Sequence, residues 1–363
     1  MANIFGKYLT ISLFGESHGR SVGAVLDGIP AGETIDWELV RKTMSRRAPG
    51  KNLLSTSRKE NDDFEIQSGY FKGHTTGTPL CFRICNVDQH SGDYDNLRHI
   101  MRPGHADFTG HVRYDGFNDY RGGGHFSGRL TAPLVFAGAI AAQLLERRGI
   151  TIGVHIQQIG NIKDRQFCPM GEDASLLKSL RQKELPLLEE DKAFPIENLI
   201  TQTKEKLDSV GGVIEGMVVG LPAGLGDPFF DSVESMLSHM FFSIPAVKGI
   251  EFGDGFLLSE MHGSEANDAM QYEKGKVVTV SNHNGGILGG ITNGMPLVFR
   301  LVIKPTPSIG RKQETIDLDT QKNCSIEIKG RHDPCIVQRV VPVIEAVTAW
   351  TLLDMWMMAN SRR

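Results

Sequence analysis

One short unit occurs twice in this chain, once near its start and again beyond its middle. Gly23 to Gly32 reads GAVLDGIPAG, and Gly216 to Gly224 reads GMVVGLPAG. Each is an apolar strand, then a turn of Gly, Ile or Leu, Pro, Ala and Gly, then a helix. Asp36 stands where it can cap a first helix over 37–46, and the second helix runs over 231–242. Two such units predict two halves related by approximate symmetry. The other reading is that one serviceable turn chemistry is used twice.

Hydrophobic period fills in the remaining elements. Alternation predicts strands over 8–14, 22–26, 62–71, 79–87, 150–162, 247–257, 276–290 and 296–304. Leu130 to Leu145 is apolar on all sides, which predicts a buried helix. A last helix runs from about Pro342, placed in its first turn, to Ala359. Strands outnumber helices and come as neighbouring hairpin-like runs, which favours α+β layers over a doubly wound sheet. No G-x-G-x-x-G follows the first strand, so a dinucleotide-binding fold is unsupported. From about 168 to 211 the chain turns polar and is expected to be a surface excursion without chemistry.

Composition narrows the function classes. A net charge of −4 argues against a general nucleic-acid binder, which needs a basic face. No stretch approaches a membrane-spanning run of uninterrupted apolar residues. The start, MANIFGKYLTISLFG, lacks the pattern of a signal peptide, so a cytoplasmic location is expected. The five cysteines are odd in number and fit no metal spacing, which suits reduced thiols. Cys81 and Cys85 share a strand face with Arg83.

The stretch from Arg102 to Thr131 has almost no hydrophobic period and is rich in glycine, including Gly122, Gly123 and Gly124. A long loop of this kind between patterned elements is expected to be an ordered binding loop. It carries His105, and two further histidine turns stand elsewhere, at Gly15–Gly19 with His18 and at Arg331–Pro334. Arg46, Arg47, Arg58, Arg102, Arg121, Arg129, Arg331 and Arg339 accompany them. Glycine-rich turns at 285–290 and the run Lys304 to Ser308 form a further group. Arginine forks suit carboxylates and phosphates, and histidine donates a proton at neutral pH. The set predicts a small, anionic, phosphorylated substrate whose phosphate leaves beside an acid. No third ligand stands at ligand spacing from His18 and His105, which argues against a metal.

These residues fall into ordered motifs. They are FGESHG (14–19), DGIPAG (27–32), RRAPG (46–50), RPGHAD (102–107), DYRGGG (119–124), VKGIEFGDGF (247–256), SNHNGGILGGI (281–291) and GRHDPC (330–335). Over almost its full length the chain resembles the chorismate synthase family. The resemblance implies one domain spanning 1–363, a β-α-β layered sandwich and a homotetramer. It also implies 1,4-elimination of phosphate from 5-enolpyruvylshikimate 3-phosphate, with reduced FMN required but no net redox change.

By the same resemblance, His18 is the group that protonates the reduced flavin and His105 the acid beside the departing phosphate. Asp333 helps the flavin accept the substrate proton. Ser17, Arg47, Arg102, Arg129 and Arg331 are substrate-binding. His125, Phe126, Ser127, Ala246, Lys248, Gly289, Lys304, Pro305, Thr306, Pro307, Ser308 and Arg331 fall in stretches that line the flavin. The chain departs from the pattern at three places. His125-Phe126-Ser127-Gly128-Arg129-Leu130-Thr131 keeps the central Ser and Arg of the usual Arg-Ser-Ser-Ala-Arg-Glu-Thr but not its first Arg or its Glu. Leu53 replaces an arginine for which Lys51 or Arg58 can compensate, and Pro245 replaces an asparagine. Some family members reduce their own flavin with NADPH. No separate reductase domain is evident here, so an external flavin reductase is expected as the source of electrons. A flavin oxidoreductase and a non-catalytic anion binder are the competing classes.

Overall fold

The computed structural model describes residues 3–50, 62–87, 98–328 and 333–361. The repeated unit opens two sheets of the same design. In the first half, β1 (Thr10–Gly15) and β2 (Ser21–Asp27) lead to α1 (Trp37–Arg47), then β3 (Phe64–Ser68), β4 (Leu80–Cys85) and α3 (Thr131–Glu146), with a short α2 (Asp107–Arg113) between. In the second half, β5 (Thr151–Ile159) and β6 (Gly212–Val219) lead to α6 (Val233–Phe242), β7 (Val247–Phe252), β8 (Leu297–Ile303) and a final α7 (Val337–Ser361). Between β5 and β6 lie α4 (Ala174–Leu180) and α5 (Ala193–Glu205).

The strand orders coincide. The first sheet runs β1-β2-β4-β3 and the second β5-β6-β8-β7, each with a two-residue strand added beside its first member. All these pairings are antiparallel. The echoed turns match in backbone too: Gly28 and Gly220 have φ of 89° and 84°. Shared topology, and not turn chemistry alone, therefore relates the halves.

The helices fill the space between the sheets because their sequences are apolar on nearly every side. Fourteen residues of α3 are buried, and α7 is buried through most of its length. Both are long and apolar enough to cross a membrane, yet both are buried within this protein as core helices. They pack on each other so closely that a Cβ on Gly138 would stand 2.2 Å from the Ala346 backbone. Trp37 of α1, Phe64 of β3, Phe82 of β4 and Phe136 of α3 form one aromatic cluster, with Phe136 stacked on Phe82. Phe241 of α6 meets Phe299 of β8 at 4.9 Å in the second half. One continuous core takes in both sheets and the helices between them.

Three polar anchors set the frame. Asp36 caps α1 through bonds of 3.0 Å from the Glu38 and Leu39 amides. Ser232, one residue inside the expected start, caps α6. Asp354 of α7, fully buried, accepts from the backbone amides of Lys7, Tyr8 and Leu9 at 2.8–3.0 Å, where the chain enters β1.

Several expectations are corrected. Pro342 lies inside α7, which begins at Val337, so the helix continues past a residue with no N–H to give. The expected strand over 247–257 ends at Phe252, and 276–290 breaks into pieces of two small hairpins. A further hairpin, Gln313–Asp317 with Lys322–Ile326, carried no alternation strong enough to predict it. On β4, Cys81, Arg83 and Cys85 do share the outer face.

The excursion over 168–211 is less superficial than expected. Leu177 and Leu180 of α4 join Phe167 against Met217 and Val298 in a second small core, and Ile196 and Ile200 of α5 join the main one. It is tied to the sheet by buried charge. His155 of β5 and Glu215 of β6 are cross-strand partners, Nε2 to Oε2 2.8 Å. On the other side, Nδ1 of His155 stands 3.3 Å from Asp164 Oδ2, an ionic contact more than an aligned bond. Asp164 in turn accepts from the amides of Leu188 and Glu189. Burial alone would lower the pKa of His155, but Asp164 and Glu215 outweigh it and raise it.

Candidate active site

Four turns bring the motif residues to one end of the molecule, where the two halves meet. The β1–β2 turn carries Ser17 and His18. The loop before α2 carries Arg102 and His105. The triglycine turn carries Gly122–Gly124, and a short helical turn ahead of α3 carries Arg129. From the second half come Ala246 before β7, Lys304–Ser308 after β8, and Asp333 ahead of α7.

The triglycine turn is the centre of this arrangement. Gly122 has φ 58°, and a Cβ there would stand 2.1 Å from Cε1 and Nδ1 of His18. A Cβ on its neighbour Gly123 would stand 3.2 Å from Cε1 and 3.3 Å from Nε2 of His105. Two histidine rings therefore lie against adjacent glycines, and only glycine tolerates the first position both sterically and in backbone. The Ser17 amide donates to the Gly124 carbonyl at 3.0 Å, which locks the His18 turn to the same loop.

Around the histidines runs a chain of charge pairs. Asp107 accepts from Arg102 Nε and Nη2, both at 2.7 Å, and lies 2.6 Å from Nδ1 of His105. Burial would raise the Asp107 carboxyl, but Arg102 and His105 hold it well below the usual carboxylate range. Arg102 Nη1 reaches Ser308 Oγ at 3.3 Å, and Lys304 Nζ reaches the Gly104 carbonyl at 2.5 Å. Thr306 donates to the Asp333 carbonyl at 2.9 Å. The Asp333 carboxylate is paired with Arg339, whose Nε donates to the Arg47 carbonyl at 3.0 Å. Arg47 and Arg129 both bind Asp62. Arg129 Nε also donates to Asn86 at 2.9 Å, and Asn86 donates to the carbonyls of Glu16 and Gly19 beside His18. The ring of contacts closes on the turn where it began.

Most of the residues singled out in the sequence meet here. The arginines do so already engaged: Arg47 and Arg129 with Asp62, Arg102 with Asp107. Ser127 Oγ accepts from the Arg129 amide at 3.3 Å. Ser17 is fully buried and its Oγ has no hydrogen-bond partner. Ala246 has φ 76°, and its carbonyl accepts from the Lys304 amide at 2.9 Å. Pro305 packs by Gly211, and Pro307 by Gly104. Burial and then the like charge of exposed Lys248 lower the pKa of Lys304, which places the two lysines near each other.

Three of the residues expected along the flavin have these surroundings within the chain. His125 uses Nδ1 on the Gly15 carbonyl at 2.8 Å and Nε2 on Asn3 at 3.1 Å, so both ring nitrogens serve the fold. The ring of Phe126 lies over Gly110 and near Tyr114 on and beside α2. Gly289 sits in an exposed turn whose next residue packs against Ser232, at the opposite end of α6 from Ala246. A cavity of about 260 Å³ lies at that far end, lined by Gly224, Gly226, Asp231, Met236, Met355 and Met358, and takes in none of the histidines or arginines above. Arg331, Lys51, Leu53 and Arg58 lie outside the described residues.

Sequence reasoning passed over Asp62, Asn86 and the role of Asp107. Asp107 could have been found, since it stands two residues from His105 in a turn. Asp62 and Asn86 lie far in sequence from Arg129, and no local pattern links them.

Comparison with known proteins agrees with this geometry. The profile of the chorismate synthase family matches residues 9–357. A chorismate synthase of Dehalococcoides mccartyi is 46% identical over 360 residues, covering 99% of this chain and 98% of that one. A chorismate synthase of Pyrococcus abyssi is 45% identical over 353 residues, covering 96% of each. A crystal structure of chorismate synthase superposes with a TM-score of 0.77 at 28% identity, covering 98% of this chain and 93% of that one. The chain belongs to the chorismate synthase family.

Proposed function

We propose that this protein is a chorismate synthase, a lyase that removes phosphate and one ring hydrogen from 5-enolpyruvylshikimate 3-phosphate by 1,4-elimination, with reduced FMN as its cofactor. The observation that carries the reading is the meeting of His18 and His105 on adjacent glycines of one loop, ringed by guanidinium–carboxylate pairs. The residues present suit a flavin and a polyanion. The buried, unpartnered hydroxyl of Ser17 awaits a polar group, and the triglycine turn leaves a surface free of side chains. Lys248, Lys304 and the backbone from Pro305 to Ser308 form a cationic, polar edge suited to a phosphate ester.

In this reading Ala246, Lys248 and Lys304–Ser308 hold the flavin, and Ser127 adds a polar contact. Reduced FMN held there would supply electron density to the allylic system. His18 holds a proton on the flavin side of the triglycine turn. His105 gives the proton of Nε2 to the departing phosphate oxygen. Arg47, Arg102, Arg129 and Arg331 balance the anionic charge of the substrate. Asp333, oriented by Arg339, supports acceptance of the ring proton. Each acid–base contribution is worth about 10²–10⁴-fold in rate. The protein works as a cytoplasmic homotetramer supplied with reduced flavin by a separate reductase that draws on NADPH.

The test is an anaerobic assay of the purified protein with 5-enolpyruvylshikimate 3-phosphate and chemically reduced FMN, following phosphate release and chorismate absorbance. It is repeated with NADPH and oxidised FMN. Turnover in the first mixture alone is expected. A folded protein that turns over in neither, or that yields a net oxidised product, would overturn the reading. His105→Ala is expected to cut turnover sharply while leaving flavin binding nearly intact.

A further inference from the structure

We propose that Asp107 is a positioning residue for the acid: it holds the Nδ1 proton of His105, so that Nε2 is the nitrogen turned to the substrate. The proposal rests on the reading of His105 as the acid beside the leaving phosphate.

The geometry around the imidazole is two-sided. One edge of the ring, Nδ1, stands 2.6 Å from Asp107 Oδ1. The other edge, Cε1 and Nε2, faces Gly123, where no side chain stands. A bare Nδ1 and a carboxylate oxygen at that distance would set two lone pairs against each other, so the contact requires a proton on Nδ1. Arg102 Nη2 also approaches Nδ1, at 3.1 Å. A protonated Nδ1 cannot accept from it. The approach follows from both groups sharing Oδ1, to which Arg102 Nη2 donates at 2.7 Å.

Asp107 is itself held so that it cannot turn away. It opens α2, and its Oδ2 accepts from both the Arg102 amide, at 3.0 Å, and Arg102 Nε. Its side chain is 7% exposed. With three of its contacts fixed by Arg102, the fourth direction of the carboxylate is spent on the ring. A carboxylate fixing the tautomer and face of a catalytic imidazole is a recurring device in acid–base sites. In the step itself the C–O bond breaks with its electron pair on the phosphate oxygen. The Nε2 proton passes to that oxygen, and the ring is left neutral with its proton on Nδ1, still donating to Asp107.

The experiment uses the full chain labelled with ¹⁵N on histidine. Long-range proton–nitrogen correlation, with the His105 signals assigned by their loss in His105→Gln, reads the tautomer of the neutral ring directly. Nδ1–H with a bare Nε2 is expected. The opposite tautomer overturns the proposal, and this holds even if no Asp107 variant folds. In steady state, Asp107→Asn is expected to lower kcat about 10²–10⁴-fold with KM for 5-enolpyruvylshikimate 3-phosphate little changed. Asp107→Glu, which keeps the charge, is expected to recover part of the loss. If His105→Ala retains full turnover, the reading of His105 as the acid falls. If His105→Ala is inactive but Asp107→Asn turns over at the wild-type rate with an unchanged tautomer, only the positioning role falls.

Discussion

Arg47 and Arg129 share a single carboxylate: Arg47 takes Oδ2 of Asp62 through Nε and Nη2, at 3.1 and 2.5 Å, and Arg129 takes Oδ1. All three side chains are nearly sealed from water. Two guanidiniums against one carboxylate leave an excess of positive charge, which suits a place that receives an anion. Breaking a buried pair by removing one partner is costly because the other charge stays buried. Asp62→Ala is therefore expected to lose about 3–5 kcal/mol, measured by denaturant unfolding at neutral pH. Burial would raise the Asp62 carboxyl, but Arg47 and Arg129 outweigh it and hold it below its usual value. A depressed folded-state pKa contributes stability above the unfolded value of about 3.9 and loses it as pH falls through the folded value. The gap between wild type and variant should be full near neutrality and close in strong acid.

The pairing of His155 with Glu215 and Asp164 has the opposite sign. Its raised pKa contributes stability that is complete below the unfolded value of about 6.5 and lost as pH rises through the folded value. The Leu188 and Glu189 amides, which bond Asp164, should lose hydrogen-exchange protection in mild alkali before the central strands do. In His155→Gln that extra loss should be absent, the two amides being equally exposed at every pH after correction for intrinsic rates.

Gly122→Ala sets a methyl group into the ring of His18 and forces alanine to adopt φ 58°. The backbone cost is about 1–2 kcal/mol, small against the stability of a large domain. Turnover should fall about 10²-fold or more while the thermal midpoint moves only a few degrees. A loss of activity that merely tracked unfolding would remove the turn from the catalytic arrangement.

Gly138→Ala tests the helical layer. Its Cβ would meet Ala346 backbone atoms at 2.2 Å, and backbone cannot step aside as a side chain does. A loss of about 1–3 kcal/mol is expected in denaturant unfolding. Gly128→Ala is the control: nothing lies within 4 Å of a Cβ there, and its stability should stay within about 0.5 kcal/mol of wild type.

The legible parts of this fold are those where chemistry is local. The turns after β2 and β6 declared themselves because proline fixes φ and the paired glycines supply the positive φ that other residues avoid. Asp36 declared α1, and the unbroken apolar run declared α3. The hairpin at 313–326 did not, because all but Ile326 of its strand residues are exposed or half-exposed and few of them are apolar. The inner face of α4 was hidden by the polar stretch around that helix, although Leu177 and Leu180 are fully buried. In the site, motif residues were legible one by one, but their partners were not. Asp62 and Arg129 are 67 positions apart, and Asp333 is joined to Arg47 through Arg339. His125 shows the converse: it sits in a motif, yet the fold claims both of its nitrogens.

The order in which the chain is synthesised gives the Asp354 anchor a temporal meaning. The Asp354 carboxylate that satisfies the amides just ahead of β1 is made 345 residues after Leu9, on the helix that packs against α3 and the second sheet. At about 5–20 residues per second, those amides wait tens of seconds for their acceptor. A nascent first half spends that interval with the Gly138 face of α3 open.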